Sequence, residues 1–438
     1  MSQIARKGRF LMSKSILIQN GHVVDPANQL DGEADVFIKD GKIEKVGKGL
    51  KVKADQTINA KGLVVTPGLI DIHVHFREPG FEYKETIATG SHSAVAGGVT
   101  SVACMPNTNP PIDDQAIVHF IKSKAEKEGY CHVYPIGCIS KRREGQEMAE
   151  LGELKKAGAV ALSDDGAPIM NAELMRRVME YAKMLDLTVI DHCEDSHLSN
   201  EGVMNEGEAS TALGLRGSPA ASETVMVGRN ILLAEMTGAK FHAAHVSTAG
   251  SVELIRQAKK KGINVTAETC PHYWTLSDKS IKNYNANFKM NPPLRSEEDV
   301  AAIRKGIKEG VIDCICTDHA PHASTEKQCE FDQAAFGIVG LETMFPLTYS
   351  HLVEPGVISL SRAVEMLTTS AAKIIGIPKG TLSEGADADV AIFDIKNEKK
   401  VDVKQFKSKG KNSPFNGWNL KGWCALTIVS GEIKFEDK

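Results

Sequence analysis

The chain has 438 residues, a formal net charge of −4 and 42% hydrophobic residues. This balance is typical of an ordinary globular protein. It gives no reason to expect nucleic acid or an anionic membrane as a partner, since either would call for a basic surface.

The cysteines and the N-terminus indicate a cytoplasmic protein. Nine cysteines are scattered along the chain, mostly within apolar segments and with no Cys-x-x-Cys pair. Such cysteines are typical of reduced core thiols. No apolar run approaches the roughly 20 residues of a membrane span, and the first residues lack the apolar segment of a secretory signal. Residues 1–13 are basic and polar, and we expect them to form a disordered extension.

Both ends of the chain are rich in short β-strand patterns. Residues 14–66 alternate such runs with glycine turns, for example at 15–18, and the same texture returns in residues 377–438, for example at 388–393. Because two small β-rich ends flank a long middle, we predict that 14–66 and 377–438 assemble into one small β-sandwich domain.

The middle of the chain, residues 67–376, alternates strands with amphipathic helices, which is the pattern of parallel β/α units. Segments 171–186 and 249–261 carry apolar residues at three- and four-residue spacing and are predicted to be helices. Eight candidate strands end near His75, Asn107, Ser140, Asp165, Glu194, Ser247, His272 and Asp318. Eight such units favour a closed (β/α)8 barrel of the TIM type, with a doubly wound open sheet as the alternative.

The first of these strands ends in two histidines one residue apart, His73 and His75. Because side chains alternate between the faces of a strand, the two imidazoles point the same way. This is a metal-ligand geometry, although two histidines in a strand can also belong to an ordinary core. The ends of the other strands favour the first interpretation.

Reactive side chains recur where the other barrel strands end, which is where barrel enzymes carry their active sites. They are Asp164 and Asp165, His192, His245 and Asp318. Strand alternation selects Asp165 as the inward acid of the fourth strand and places Asp164 on the other face. In the eighth strand it selects Asp318 and places His319 outside the ligand set.

Four imidazoles and two carboxylates without a cysteine cluster suit zinc or a similar divalent ion with an open coordination position. A carboxylate between two ions can bridge them at about 3.5–4 Å, and a bound water then becomes acidic enough to ionise near neutral pH. Asp318, beside that water, is the expected group to take its proton and pass it to a leaving nitrogen. The pattern predicts a hydrolase that uses zinc or a similar divalent ion, with one or two ions per chain and two favoured.

These residues resemble the amidohydrolase superfamily and, within it, the dihydroorotase family of the long bacterial type (class I). The resemblance runs from about Lys14 to the end of the chain. Its motifs are residues 67–80, Met105-Pro106-Asn107-Thr108, Ser163-Asp164-Asp165-Gly166, Asp191-His192-Cys193-Glu194-Asp195, His245-Val246-Ser247, Met290-Asn291-Pro292-Pro293-Leu294-Arg295 and Thr317-Asp318-His319-Ala320-Pro321-His322.

The resemblance implies reversible hydrolysis of (S)-dihydroorotate to N-carbamoyl-L-aspartate in de novo pyrimidine (UMP) synthesis. It implies that zinc is held by His73, His75, Asp165, His192, His245 and Asp318. It also implies that the substrate is bound by Arg77, Asn107, Asn291 and His322.

Two further features agree with an anionic substrate in a closable site. Arg77 lies two positions beyond His75, on the same strand phase, and offers a bidentate fork for a carboxylate. The polar segment 322–340 is long for a barrel loop, and we expect it to be a lid whose backbone near Phe336 and Gly337 binds an edge of the substrate ring.

One departure from other amidohydrolases bears on the choice of substrate. Hydantoinases, allantoinases and the shorter dihydroorotases bridge two metals with a carbamylated lysine on the fourth strand, whereas here Lys155 and Lys156 precede that strand on a predicted helix. The resemblance therefore places Asp165 at the bridge. The alternatives are a cyclic amidase of the hydantoinase, dihydropyrimidinase or allantoinase type, and an inactive scaffold subunit. A homodimer and an association with aspartate transcarbamoylase stay open.

Overall fold

The computed structural model describes residues 15–437, so the predicted extension 1–13 lies outside the described residues. Among residues 15–437, no helix combines the length and apolar character that crossing a membrane requires.

Strands from both ends of the chain form one sheet. The N-terminal strands are β1 (Ser15–Asp25), β2 (Leu30–Lys39), β3 (Lys42–Gly47), β4 (Gln56–Asn59) and β5 (Val64–Pro67). β1 pairs antiparallel with β2, while its other edge pairs in parallel first with β4 and then with β5.

The barrel strands follow in the chain, together with one short pair outside the barrel (β11 and β12). They are β6 (Leu69–Val74), β7 (Val99–Cys104), β8 (His132–Pro135), β9 (Ala161–Leu162), β10 (Thr188–Asp191), β11 (Met204–Asn205), β12 (Gly217–Ser218), β13 (Phe241–Ala243), β14 (Val265–Thr269) and β15 (Cys314–Ile315). All neighbouring barrel strands pair in parallel.

Two bridges close the barrel. The runs β6-β7-β8 and β9-β10-β13-β14-β15 meet where Gly137 N donates to Ala161 O (3.0 Å) and where His75 N donates to His319 O (2.9 Å). The predicted (β/α)8 barrel is therefore confirmed, and the open doubly wound sheet is excluded.

The last five strands are β16 (Val390–Asp394), β17 (Lys399–Lys400), β18 (Asn419–Leu420), β19 (Trp423–Val429) and β20 (Glu432–Glu436). β17 and β18 pair antiparallel with each other in a separate two-stranded sheet, while the other three return to the terminal sheet. β16 pairs antiparallel with β5, and β19 and β20 follow outward. The two ends of the chain therefore assemble together, and their described strands do so in one continuous sheet. Alternate residues of one face form a small core of their own: Ile16, Ile18, Val36, Ile38, Val390, Ile392 and Ile428.

Within residues 15–437, fourteen α-helices accompany the strands. They are α1 (Ile87–Ala96), α2 (Gln115–Glu128), α3 (Leu151–Ala157), α4 (Ala172–Met184), α5 (Ser196–Ser199), α6 (Glu208–Leu213), α7 (Ala221–Thr237), α8 (Ala249–Lys260), α9 (Pro271–Thr275), α10 (Glu297–Lys308), α11 (Ser324–Lys327), α12 (Met344–Thr348), α13 (Leu360–Leu367) and α14 (Thr369–Ile375). The two helices predicted from apolar spacing are α4 and α8. They begin at N-caps Asn171 and Thr248, whose side chains accept from backbone N–H groups of the first turn.

Residues 401–418, which we call the strap, connect the paired strands β17 and β18 and lie over the barrel loops. Val401, Phe406 and Phe415 of the strap are buried in one hydrophobic cluster with Met290 and Ile338. These two residues belong to the loops that follow β14 and β15. The strap thus packs at the end of the barrel where the strands finish.

Candidate active site

The six candidate metal ligands lie at the carboxyl ends of five barrel strands. His73 belongs to the end of β6 and His75 follows it, while the other four come directly after β9, β10, β13 and β15. All six residues are buried. Because parallel strands finish at the same end of a barrel, side chains distant in sequence meet there.

Asp165 lies at the centre of four imidazoles. Its Oδ1 is 3.4 Å from His73 Nε2, 3.5 Å from His245 Nε2 and 3.7 Å from His192 Nδ1. Its Oδ2 is 3.5 Å from His75 Nε2. Although burial opposes its ionisation, the positive charge of His73 holds the pKa of Asp165 well below its usual range. This carboxylate therefore lies between two histidine pairs.

The atoms that converge here fit a divalent cation. Within the part of the chain that the structure describes, His73 Nε2 and Asp165 Oδ1 are buried without a hydrogen-bond partner. Two ring nitrogens, His192 Nδ1 and His245 Nε2, lie only 2.8 Å apart. Buried polar atoms without partners are costly, and a bound cation would satisfy all of these lone pairs. The geometry forms two groups that share Asp165, one with His73 and His75 and one with His192 and His245.

Asp318 completes the cluster beside the first histidine pair. Its Oδ1 lies 2.9 Å from His75 Nε2 and 3.6 Å from His73 Nε2. The backbone is left-handed at Asp318 (φ 50°), at His245 (φ 33°) and at Arg77 (φ 63°). Non-glycine residues held in this region are strained, and such strain is concentrated at functional sites.

A buried glutamate fixes the orientation of His73. His73 Nδ1 donates to Glu268 Oε1 at 2.5 Å, so Nε2 faces Asp165. The second oxygen, Glu268 Oε2, lies 3.2 Å from His242 Nε2. Although burial opposes its ionisation, the charge of His73 holds the pKa of Glu268 below its usual range. Carboxylate partners of this kind set the tautomer of a metal-binding histidine.

Two other histidines have comparable partners. His75 Nδ1 donates to Asn107 Oδ1 (2.8 Å), and His192 Nε2 donates to Glu194 Oε2 (2.8 Å). Asn291 Nδ2 also donates to Glu194 Oε2 at 2.7 Å. Although burial opposes it, the hydrogen bond from His192 lowers the pKa of Glu194 to about 2. The predicted substrate residues Asn107 and Asn291 thus each contact a candidate metal ligand, Asn107 at His75 and Asn291 at His192 (3.2 Å).

Arg77 and His322 form the adjoining part of the site. Arg77 Nη2 lies 3.3 Å from His322 Nε2, and Arg77 Nε donates to Pro321 O at 3.3 Å. His322 Nε2 is 2.7 Å from Phe336 O, to which it donates as a neutral ring. Burial, together with the charge of Arg77, lowers the pKa of His322 to about 3. His322 is therefore uncharged at neutral pH, which leaves Arg77 as the cation of this group.

The segment 322–340 folds against this group. Gly337 has φ 126°, and a Cβ there would lie 2.6 Å from Ala320 Cβ and 3.3 Å from His322 Nε2, so this position requires glycine. Buried Lys327 fixes the segment, because its Nζ donates to Ala335 O (2.7 Å), Gly337 O (3.0 Å) and Lys289 O (3.1 Å).

The structure brings all twelve predicted site residues together and places the rejected alternatives elsewhere. Asp164 turns away to accept from Ile139 N and Ser140 N. His319 Nδ1 accepts from Gly340 N at 3.2 Å. The lysines before the fourth strand, Lys155 and Lys156, are on α3, where they donate to Leu185 O and Glu153.

Sequence reasoning missed four residues that support the site: Glu194, Glu268, Lys327 and Asn412, whose Oδ1 accepts from His322 N at 3.2 Å. Glu268 could have been found from the sequence, because it is an acidic residue inside the strand pattern of β14. Glu194 stands two positions after His192 in a quoted motif. Lys327 and Asn412 lie in polar loop sequence that carries no such signal.

The fold and the site together define a metal-dependent hydrolase of the amidohydrolase type: a closed β/α barrel with a buried histidine and carboxylate cluster at its carboxyl end. Comparison with known proteins agrees. Residues 62–251 match the Dihydro-orotase-like family model, and residues 236–435 match the Amidohydrolase family model.

Curated relatives define the family more narrowly. The dihydroorotase of Acetivibrio thermocellus is 52% identical over 423 residues, covering 97% of this chain and 99% of the relative. That of Pelotomaculum thermopropionicum is 54% identical over 423 residues with the same coverage. The chain belongs to the dihydroorotase family.

Solved structures agree on the fold. The L-hydantoinase (dihydropyrimidinase) from Arthrobacter aurescens aligns with a TM-score of 0.88 at 28% identity over 96% of both chains. The dihydropyrimidinase from Brevibacillus agri aligns with a TM-score of 0.83 at 25% identity, covering 97% of this chain and 95% of that one. Because identity to these proteins is about half of that to the dihydroorotases, the hydantoinase alternative is the less supported one.

Proposed function

We propose that this protein catalyses the reversible hydrolysis of (S)-dihydroorotate to N-carbamoyl-L-aspartate, the dihydroorotase step of pyrimidine synthesis. The observation that carries the proposal is Asp165 between two histidine pairs, with Asp318 and Arg77 beside it. In a chain half identical to curated dihydroorotases, this arrangement supplies both a hydrolytic centre and a cation for the substrate carboxylate.

We assign the cluster to zinc, with two ions per chain. The ligands would be His73, His75, Asp165, His192, His245 and Asp318, with Asp165 shared between the two ions. Zinc in such a site polarises a carbonyl and makes a bound water ionise near neutral pH. Imidazole and carboxylate ligands without thiolates suit this ion.

Asp318 is the proton carrier in this proposal. Its carboxylate takes a proton from the attacking water, whose oxygen forms a bond to the ring carbonyl carbon. The carbon–nitrogen bond then breaks, and Asp318 delivers the proton to the leaving ring nitrogen. The backbone strain at Asp318 and its 2.9 Å contact with His75 support a fixed position for this group. Because ring closure consumes a proton, lower pH favours synthesis.

The remaining predicted residues would bind the substrate. Arg77 offers two parallel N–H groups to the carboxylate of dihydroorotate. Asn107 Nδ2 is available to the substrate because Oδ1 is engaged by His75. Asn291 offers its Oδ1, since Nδ2 is engaged by Glu194. Neutral His322 would orient a ring carbonyl by turning its Nε2–H, which here donates to Phe336 O, toward the substrate.

The segment 322–340 is the proposed lid, with the backbone of Phe336 and Gly337 against a ring edge. The contacts of His322 Nε2 with Phe336 O and of Lys327 Nζ with Gly337 O support a closed arrangement of this loop. Closure would exclude water other than the reacting one.

We further propose a cytoplasmic location, which the free cysteines support: all nine are unpaired, and only Cys329 is exposed. A homodimer and a complex with aspartate transcarbamoylase are the assemblies to test.

Relative rates on two cyclic amides test the proposed substrate. Dihydrouracil has the same ring as dihydroorotate without the carboxylate, so the protein should hydrolyse dihydroorotate in strong preference. Arg77→Met should raise KM for dihydroorotate about 100-fold, as loss of a bidentate charged contact does, and should leave any activity on dihydrouracil unchanged. Comparable rates on the two substrates would refute the role of Arg77 and favour a hydantoinase-type enzyme.

A further inference from the structure

One buried amide of the strap joins the two segments that carry proposed substrate-binding groups. Asn412 Nδ2 donates to Ala320 O and to Gly337 O, both at 3.0 Å. Its Oδ1 accepts from His322 N at 3.2 Å, and its backbone oxygen accepts from Val339 N at 2.9 Å. All of these side-chain hydrogen bonds therefore go to the loop that follows β15.

The strap approaches this loop closely only because residue 410 is glycine. A Cβ on Gly410 would lie 2.7 Å from Pro321 Cβ and 2.9 Å from Val339 Cγ1. Real Cβ atoms do not come so close to their neighbours, and the absence of a side chain lets one backbone lie against another. The strap is therefore in close contact with the loop after β15 at Gly410 as well as at Asn412.

Other residues hold the strap in place without Asn412. Glu85 accepts from Ser408 Oγ at 2.5 Å and from Lys409 N at 3.2 Å. Glu342 accepts from Lys407 N at 2.8 Å and from Ser408 N at 3.2 Å. Because these carboxylates belong to the barrel, the strap stays anchored when Asn412 is changed.

We infer that Asn412 is a positioning residue for the reaction: it holds the backbone of His322 and Gly337 where these two residues meet the substrate. The inference rests on the proposed function, since it assigns Asn412 to the binding of dihydroorotate. The hydrogen bonds of the Asn412 side chain go to Ala320, Gly337 and His322 and not to a proposed metal ligand, so its role is separate from the metal centre. Binding of substrate by this enzyme thus depends on a segment that enters from the C-terminal part of the chain.

Asn412→Asp tests the inference with almost no change of volume. The variant keeps an acceptor for His322 N but turns a carboxylate oxygen toward Ala320 O and Gly337 O. We expect KM for dihydroorotate to rise about tenfold or more, because the variant loses both of the buried hydrogen bonds that Nδ2 donates. We expect kcat to change by less than about threefold, because contacts to the unreacting part of the substrate are lost equally in the ground and transition states.

Asn416→Asp is the matched control. It makes the same change of charge in the same strap, at an exposed residue whose Oδ1 accepts from Val403 N at 3.2 Å. Its KM should stay within about twofold of the wild type, well short of the effect of one lost buried hydrogen bond. If Asn412→Asp does not fold, Asn412→Ala replaces it, since it adds no charge. It should show the same rise in KM and the same small change in kcat.

A second readout is amide hydrogen exchange in residues 319–340 of the enzyme without substrate. Exchange should be faster in the Asn412 variant and unchanged in the Asn416 control, with bound metal unchanged in both. The inference would be overturned if the Asn412→Asp variant showed unchanged KM and unchanged amide exchange in residues 319–340. An equal rise of KM in the Asn416→Asp control would overturn it as well. A wild type that does not hydrolyse dihydroorotate refutes the proposed function and the inference together, whereas an active wild type with an unaffected Asn412 variant refutes the inference alone.

Discussion

Glu268 offers a direct way to perturb the metal centre without touching a ligand. Its carboxylate accepts from His73 Nδ1 at 2.5 Å in a fully buried position. Glu268→Gln keeps the shape and removes the charge. Hydrogen bonds to charged groups contribute roughly 1.5–3 kcal/mol, and about 1.4 kcal/mol is a tenfold change in an equilibrium constant. We therefore expect the variant to bind zinc about 10- to 100-fold more weakly, which is the usual loss for partners of this kind.

Competition with a chromogenic chelator measures this affinity directly on the purified variants. Glu342→Gln is the control, because Glu342 is a partly buried carboxylate that accepts from Ser93 and the strap and touches none of the ligands. Melting temperatures and circular dichroism establish that each variant is folded. A folded Glu268→Gln protein with wild-type zinc affinity would refute the argument that this carboxylate orients His73.

Three further substitutions test the site. Asp318→Asn should lower kcat at least about 100-fold while the protein still folds, as expected for loss of a proton carrier; steady-state kinetics that show near-normal turnover would exclude that role. Burial lowers the pKa of Lys327 to about 7 from its usual 10.5, so the unfolded chain binds more protons between these values. The contribution of Lys327 to the free energy of unfolding therefore rises with pH in this window, and denaturant titrations at pH 7 and 9 should show that Lys327→Met loses this rise; identical pH dependence in both proteins would contradict it. Gly337→Ala places a Cβ 2.6 Å from Ala320 Cβ at φ 126°, so KM for dihydroorotate should rise about tenfold or more, and an unchanged KM would remove this backbone from the site.

Strand alternation was sufficient to choose between neighbouring polar residues. It selected Asp165 over Asp164, and in the structure the oxygens of Asp164 are occupied by backbone N–H groups of the preceding loop. It likewise selected Asp318 over His319. The reason is geometric: in a closed barrel, every second residue of a strand faces the interior, so local order in the chain determines direction.

Contacts between distant loops could not be predicted in this way. Asn412 meets His322 across 90 residues of chain, and nothing in its local pattern indicates a partner. Apart from one short 3-10 helix (Val403–Gln405), the described strap is irregular, so its place over the barrel depends on the apolar cluster into which Phe406 and Phe415 pack. Lys327 is a similar case, because its three acceptors are backbone carbonyls that only the folded loop brings together.

Activity measured against zinc occupancy tests the central claim most directly. The protein is depleted of metal, zinc is added stepwise, and hydrolysis of dihydroorotate is measured together with bound zinc by elemental analysis. We predict no turnover in the depleted protein, and a rise that reaches its plateau at two zinc ions per chain. Full turnover in protein without bound metal would contradict the account, because the buried cluster around Asp165 would then have no part in the reaction.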